Sequence, residues 1–329
     1  MTRTRLDVLA LGDAVVDVIA TAEDSFLEQE GLVKGSMRVL DAAEATRLYE
    51  RMGPARETSG GSAANTVAGI AALGGRAGFV GQVADDQLGE VFAHDIRAHG
   101  VEFETPKGDG AVPTGRCLIL VTPDAQRTMN TFPGASHTLS ETALDEAQIR
   151  GAAILYLEAY LWRAEAPRKA MRKALSVARA AGRKVAFTLS DIALIALYRE
   201  HYADMIDAGE IDLLIANEAE IKALTRMDDH ESAIATLAPK VPLLLVTRSE
   251  KGAVAFERGR RAEVAAVPVD PVVDTTGAGD LFAAGFLLGV ARECPLEHSL
   301  RMGAVAAAEV ISHFGARPEI DLEPLIAAL

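Results

Sequence analysis

The sequence predicts an α/β fold: a doubly wound, mainly parallel sheet flanked by helices, with a small discontinuous β-sheet lid. Three observations predict it. Short runs that are apolar throughout recur along the chain as "LDVLALG", "RAGFVGQV", "AAILYL", "RKVAFTL", "IDLLIAN" and "VPLLLVT", as strands buried on both faces require. Helical patterns such as "APRKAMRKALSVARAAG" lie between several of them, and alternating strands and helices imply crossover connections and parallel pairing. A chain of 329 residues with 49% hydrophobic content is long and apolar enough to bury a large core.

The elements follow in order. Leu6 to Gly12 reads as the first buried strand, closed by a glycine. "VVDVIA" and "SMRVLD" in the first forty residues, and "TGRCLILVTPDAQRTMNTFPG" at 114–134, read as strands parted by turn residues with no crossover helix between them. They predict a lid formed by about 13–20, 36–40 and 101–134, projecting from one domain that spans 1–329. From about residue 150 the doubly wound rhythm is most regular. No internal repeat, heptad array or low-complexity linker interrupts it.

Charge narrows the partners. The 33 basic and 47 acidic residues leave a net charge of −14, which disfavours nucleic acid and anionic membrane surfaces because both require a basic footprint. A small-molecule partner is expected, with the protein a monomer or homodimer. Cys117 and Cys294 are the only cysteines, too few for a disulfide framework or a cysteine-rich zinc site. The opening apolar run contains Asp7, Asp13 and Asp17, which neither a signal peptide nor a membrane span tolerates. A cytoplasmic protein is therefore expected.

The stretch "DTTGAGDLFAAGF", Asp274 to Phe286, carries the most chemistry. Phe282, Gly285, Phe286 and Gly289 share one helix face, which places the helix start near Gly279. Backbone N–H groups at such a start, unshielded by side chains, form an anion site that the helix dipole favours, with phosphate as the natural guest. Asp280 in the first turn repels that guest, which makes sense where the carboxylate takes the proton of an attacking hydroxyl, a role worth ~10²–10⁴-fold in rate. A plain helix-start charge, beside glycines that permit tight packing, accounts for the same residues. Gly277, Gly279 and Gly285 match a dinucleotide fingerprint poorly: the third spacing is wrong and the segment stands late in the chain.

A second glycine-rich segment runs from Glu57 to Gly89. Gly60 and Gly61 precede Ser62, which reads as an N-cap, and Asn65 stands in the first turn of the apolar helix that follows. Its amide suits either local capping or a ligand hydroxyl. Asp13 and Asp17 follow the first strand, where ligands collect at the carboxyl edge of a parallel sheet. Four apart in an extended segment, they share a face. That face suits a polyol or plain solvent.

Together these segments resemble the ribokinase-like (PfkB) family of sugar and nucleoside kinases: "GD" and a later Asp after the first strand, "GGSAANT", "ADDQLG", "ANEAE" and "DTTGAGD", in the family's order. The resemblance implies ATP and Mg²⁺, with a monovalent cation such as K⁺ as a further possibility. It implies Asp280 as catalytic base, with Gly277, Ala278 and Gly279 as the anion hole. Asp13, Asp17, Gly60, Gly61 and Asn65 fall at the acceptor. Asn217 and Glu220 fall near the magnesium and its waters. Thr247, Arg248 and Gly252 of "VTRSEKGA" fall at the ATP site, and Arg127 of the lid is expected to reach the phosphates on closure. Capping the helix "NEAEIKAL" is the structural alternative for Asn217 and Glu220.

Within the family, "GGSAANT" and the long lid segments look most like adenosine kinases and their bacterial relatives, so a primary hydroxyl of adenosine or a related nucleoside is the expected acceptor. Tyr160, with Phe132 or Met37, is expected to wall the base. Two departures favour a sugar such as ribose or fructose instead. Asp13 stands where adenosine kinases commonly carry Asn, and "TLSDIALIALYRE" lacks an aromatic that nucleoside-binding relatives often place there. A non-catalytic nucleotide or sugar sensor on the same fold is the alternative from another class, though such a protein has no need of Asp280.

Overall fold

The computed structural model describes residues 5–108, 110–124 and 126–329. Asp109 and Ala125, within the expected lid range, lie outside them. Fourteen strands are present among the described residues. The first seven are β1 (Leu6–Leu11), β2 (Val15–Thr21), β3 (Met37–Val39), β4 (Arg56–Gly60), β5 (Ala77–Val80), β6 (Glu102–Phe103) and β7 (Gly115–Val121). The rest are β8 (Arg127–Phe132), β9 (Ala152–Glu158), β10 (Lys184–Thr188), β11 (Leu213–Asn217), β12 (Leu243–Thr247), β13 (Ala253–Glu257) and β14 (Arg260–Val264).

Nine of them form one sheet in the order β14-β13-β12-β11-β10-β9-β1-β5-β6. Pairing is parallel from β12 through to β6, and β13 and β14 add an antiparallel edge. Division between two cores explains the unbroken apolar run of β1: Val8 and Ala10 enter one, Leu9 and Leu11 the other, and Leu6 at the strand's start joins the second. The first core packs the helices Ser62–Ala72 and Ala278–Ala291 and the ring trio Phe79, Phe92 and Phe103. The second is centred on Trp162, Phe187 and Tyr202. Burial on both faces is what drives this layering.

The other five strands make a small sheet, β3-β8-β7-β2-β4. It differs from the expected lid in two places. Arg56–Gly60, "RETSG", joins it antiparallel to β2, although the segment has no apolar alternation. Backbone pairing to β2 decides its state, a tertiary override of propensity. Conversely, Glu102–Phe103 pairs with β5 in the large sheet, so the third part of the small sheet begins at Gly115 rather than near 101. Phe103 is drawn to the large sheet by the rings of Phe79 and Phe92.

Candidate active site

The carboxyl ends of β1 and β9 meet at Glu158, a fully buried acid that ends an otherwise apolar strand. Its two oxygens accept the N–H groups of Asp13 (2.7 Å) and Ala63 (2.6 Å), tying the turn after β1 to the start of the Ser62 helix. Burial, with the Asp13 charge adding to it, pushes its carboxyl well above the ordinary range. Gly12 leaves the necessary space, since a Cβ there would stand 2.8 Å from Glu158 Oε2. Sequence reasoning missed Glu158. The lone acid closing "AAILYLE" was the available signal.

Ser62 is not the N-cap. Gly61 holds that position at φ +95°, a conformation that favours glycine, and Ser62 becomes the first helical residue. Its hydroxyl is thereby released from capping and donates to Asp280 Oδ1 at 2.6 Å. Asn65, one turn on, donates Nδ2–H to Asp280 Oδ2 at 2.9 Å. Its own Oδ1 is buried without a partner among the described residues.

Asp280 itself lies in the first turn of Ala278–Ala291, whose N-cap Gly277 sits at φ +80°. The N–H of Ala278 turns back to Thr275 O (3.2 Å) and that of Leu281 to Gly277 O (2.8 Å), leaving those of Gly279 and Asp280 without acceptors among the described residues. The two glycines differ in what demands them. A Cβ on Gly277 would meet Ala316 Cα at 2.8 Å, whereas one on Gly279 would meet no protein atom within 4 Å. Packing therefore explains Gly277, whereas no neighbouring atom requires a glycine at 279. Gly279→Ala is expected to leave the melting temperature within about 1 °C, helix propensity favouring Ala slightly, while sharply raising KM for the nucleotide. Gly277→Ala is expected to lower both stability and turnover. Thermal unfolding and steady-state kinetics on the two variants check this contrast.

Across the cleft stand Asp13 and Asp17. Asp13 is buried, with Oδ1 unpartnered and His137 Nε2 3.9 Å from it. Burial raises its carboxyl above the usual value, opposed by the neighbouring His137 and Arg163. Asp17 is pushed up to about 6, chiefly by burial, against the charges of Arg317 and Arg127. Gly60 stands behind Asp17 rather than on the cleft wall. A Cβ there would lie 2.4 Å from the Asp17 carboxylate, so its missing side chain makes room for that acid.

Asp13, Asp17, Gly61, Asn65, Gly277 and Asp280 line one cavity of about 450 Å³, within the range of small-molecule sites (~300–1,000 Å³). Met37, Val39, Ile119 and Met129 of the small sheet and Tyr160 close it on its apolar side. Phe132, the last residue of β8 in the small sheet, is buried and does not line the cavity. The structure also brings in Ser62 of "GGSAANT", together with His137, Glu158 and Arg163, the last three outside every motif read in the sequence.

The remaining expected residues lie outside this cavity. Thr247 is in register with Asn217 on neighbouring strands, and Arg248 pairs with Glu263 at 3.0 Å. Gly252, at φ +84°, is required by the sheet, since a Cβ there would stand 2.0 Å from Val264 O. Asn217 and Glu220 form a full capping box, and Asn217 Nδ2 donates to Glu220 Oε1 at 2.7 Å. The buried Glu220 carboxyl is raised to about 7, chiefly by burial. Arg127 forms an ion pair with Asp274, at the foot of the glycine-rich turn.

Burial pushes Asp280 up to about 6, against the Ser62 and Asn65 hydrogen bonds and the Arg317 charge. Asp17 has a similar value, to which the Asp280 charge adds a little. Both are ionised above this range. The rate constant kcat/KM is expected to fall as pH drops through about 6, with a limiting slope of two in log units where both ionisations are required. A pH–rate profile from pH 4.5 to 8 measures it.

Comparison with known proteins shows the family and the reaction class. The family model for pfkB family carbohydrate kinases matches residues 6–322. The protein is an ATP-dependent kinase with a hydroxyl group as acceptor. It belongs to the pfkB family of carbohydrate kinases. An adenosine kinase structure from Sinorhizobium meliloti is 45% identical, covers 98% of this chain and 99% of its own, and superposes with a TM-score of 0.93. A structure described as a "probable sugar kinase protein", from Rhizobium etli CFN 42, is 41% identical over 99% of this chain and 98% of its own, again with a TM-score of 0.93. A fructokinase from Klebsiella pneumoniae is 30% identical over 263 residues, 79% of this chain and 85% of the fructokinase.

Proposed function

We propose that this kinase phosphorylates the primary hydroxyl of a ribose-containing acceptor, adenosine or a related nucleoside. One observation carries the reading: a single cavity joins Asp280 and the turn Thr275, Thr276 and Gly277 to two orphaned buried acceptors, Asp13 Oδ1 and Asn65 Oδ1, under an apolar wall. The orphaned oxygens suit sugar hydroxyls, because an acceptor left unpaired in a buried site is unfavourable until a donor arrives. Met37 and Val39 remain 41% and 45% exposed on the small sheet. A flat base covers such a surface, whereas a small all-hydroxyl sugar leaves it wet. The adenosine kinase at 45% identity supports the same acceptor.

In this reading the acceptor hydroxyl lies against Asp280, its oxygen attacks the γ-phosphorus of ATP, and its proton passes to an Asp280 carboxylate oxygen. The bond from that phosphorus to the bridging oxygen of ADP breaks, and the Gly279 and Asp280 N–H groups take up charge on the transferring group. Asp17 and Asn65 Oδ1 accept from the remaining ribose hydroxyls. Ser62 and Asn65 hold the base in place and keep its anion from rising further in pKa.

Among the described residues no cluster of three or more His, Cys, Asp or Glu side chains is arranged to hold a metal. That fits Mg²⁺ bound mostly by nucleotide phosphates and water. Glu220, buried and raised to about 7, gains from a nearby cation and would hold one of its waters. Mg²⁺ there supplies charge neutralisation of the triphosphate. Thr247, Arg248 and Gly252 support the nucleotide along the ends of β12 and β13.

A sugar acceptor is the second reading, favoured by Asp13. Its carboxylate only accepts hydrogen bonds and stands beside His137 and Arg163, where a further sugar hydroxyl fits better than a purine nitrogen. Incubation with ATP, Mg²⁺ and a panel of nucleosides, ribose and fructose, with ADP release as the readout, decides between them. Higher kcat/KM on adenosine supports the nucleoside; higher kcat/KM on fructose or ribose overturns it.

A further inference from the structure

A second cavity, of about 660 Å³, shares no lining residue with the acceptor cavity. Its walls are the outer ends of β2 and β7 and the loop Phe314–Glu319 that follows the last long helix. Three arginines, Arg56, Arg127 and Arg317, line it in a chain whose net charge is −14. Of the two acids there, Asp95 is already engaged by Ser59 N (2.8 Å), Ser59 Oγ (2.6 Å) and Thr58 Oγ1 (3.1 Å). The other, Glu319, is exposed on the rim. His99 is held below its ordinary value by burial and by Arg317, so it adds a neutral hydrogen-bonding ring. Phe314 stands at the mouth, 60% exposed.

Arg317 is the anchor. Its Nη1 donates to Ala64 O (2.9 Å), and Nη2 donates to Ser59 O (3.1 Å) and Ser59 Oγ (3.0 Å). Its Nε is buried without an acceptor among the described residues. An unsatisfied guanidinium N–H beside a cationic cavity with an exposed ring calls for an anion carrying a flat apolar body.

The cavity is wired to the phosphoryl-transfer turn. Gly315 N donates to Asp274 Oδ2 at 2.9 Å, Arg127 pairs with the same carboxylate, and Ala316 packs so closely on Gly277 that a Cβ would not fit. We propose that this cavity is an effector site for a small phosphomonoester with a ring-shaped body, and that filling it slows phosphoryl transfer. An anion there competes with Asp274 for Arg127, and Asp274 is the carboxylate that ties Gly315 and Thr276 to the glycine-rich turn.

Phenyl phosphate is the probe, with phenol and inorganic phosphate as its two halves. Calorimetric titration of the full chain at saturating ATP analogue and acceptor is expected to show phenyl phosphate binding, with each half weaker by about tenfold or more. The Arg56→Gln, Phe314→Ala double variant changes two exposed side chains. It is expected to weaken phenyl phosphate binding about tenfold while leaving turnover without effector unchanged. Inhibition by phenyl phosphate is expected to be noncompetitive with both substrates. Inhibition competitive with either substrate and unaltered in the double variant places the anion in the acceptor cleft and overturns the proposal. So does the absence of binding at millimolar probe. The titration reads the second cavity whether or not adenosine is the acceptor, so a failure here is separable from a failure of that reading.

Discussion

Asp280→Asn is expected to lower kcat by ~10²–10⁴-fold, the usual worth of a positioned general base, with KM for ATP changed little. The amide keeps the shape and the contact with Ser62 Oγ but cannot take the proton. The same variant is expected to be more stable at neutral pH. The folded-state value of Asp280 is about 6 against an ordinary 3.8, so the folded protein binds the proton more tightly than the unfolded chain. Ionisation then weakens the fold as pH rises from about 4 to about 6 and fully above it. Replacement by Asn removes that penalty. Melting temperatures of variant and wild type are expected to coincide near pH 4 and to separate, variant higher, at pH 7. Turnover within threefold of wild type contradicts the catalytic assignment. A lower melting temperature at pH 7 contradicts the electrostatic one.

Asp17→Ala is expected to reduce kcat/KM for the acceptor about a hundredfold, through KM more than kcat. Two hydrogen bonds from hydroxyls to a charged partner are worth ~1.5–3 kcal/mol each, and part of that is recovered by water entering the truncated site. KM for ATP is expected to remain within about twofold, because Asp17 lies on the small sheet opposite the glycine-rich turn. Equal losses for both substrates would point to collapse of β2 against β4. Removal of Asp17 also leaves Gly60 without the neighbour that requires it, so Asp17→Ala, Gly60→Ala is expected to fold as well as Asp17→Ala alone. Acceptor kinetics and thermal unfolding on this pair separate recognition from packing.

Much of the architecture was legible because burial on both faces writes itself as unbroken apolar runs. Each of the six runs that are apolar throughout, from "LDVLALG" to "VPLLLVT", contains a strand of the large sheet. "RETSG" was illegible for the opposite reason: its strand state comes from a partner about forty residues away, and of its residues only Thr58 favours a strand. The helix cap at Gly61 was misplaced by one residue, because Ser, the usual cap, stood next to a glycine whose positive φ only the fold demands.

At the site, the sequence by itself determined the chemistry available: a glycine-rich helix start, the acid Asp280 one turn into it, and carboxylates after the first strand. These are local facts of residue type and spacing. Tertiary structure alone decided how they are used. It set Ser62 and Asn65 on Asp280 from more than two hundred residues away. It also buried Glu158 between Asp13 and Ala63 and paired Arg127 with Asp274. The physical reason is that desolvation and hydrogen-bond partnership depend on what the fold brings near, so pKa, orphaned acceptors and ion pairs have no signature in a single strand of sequence.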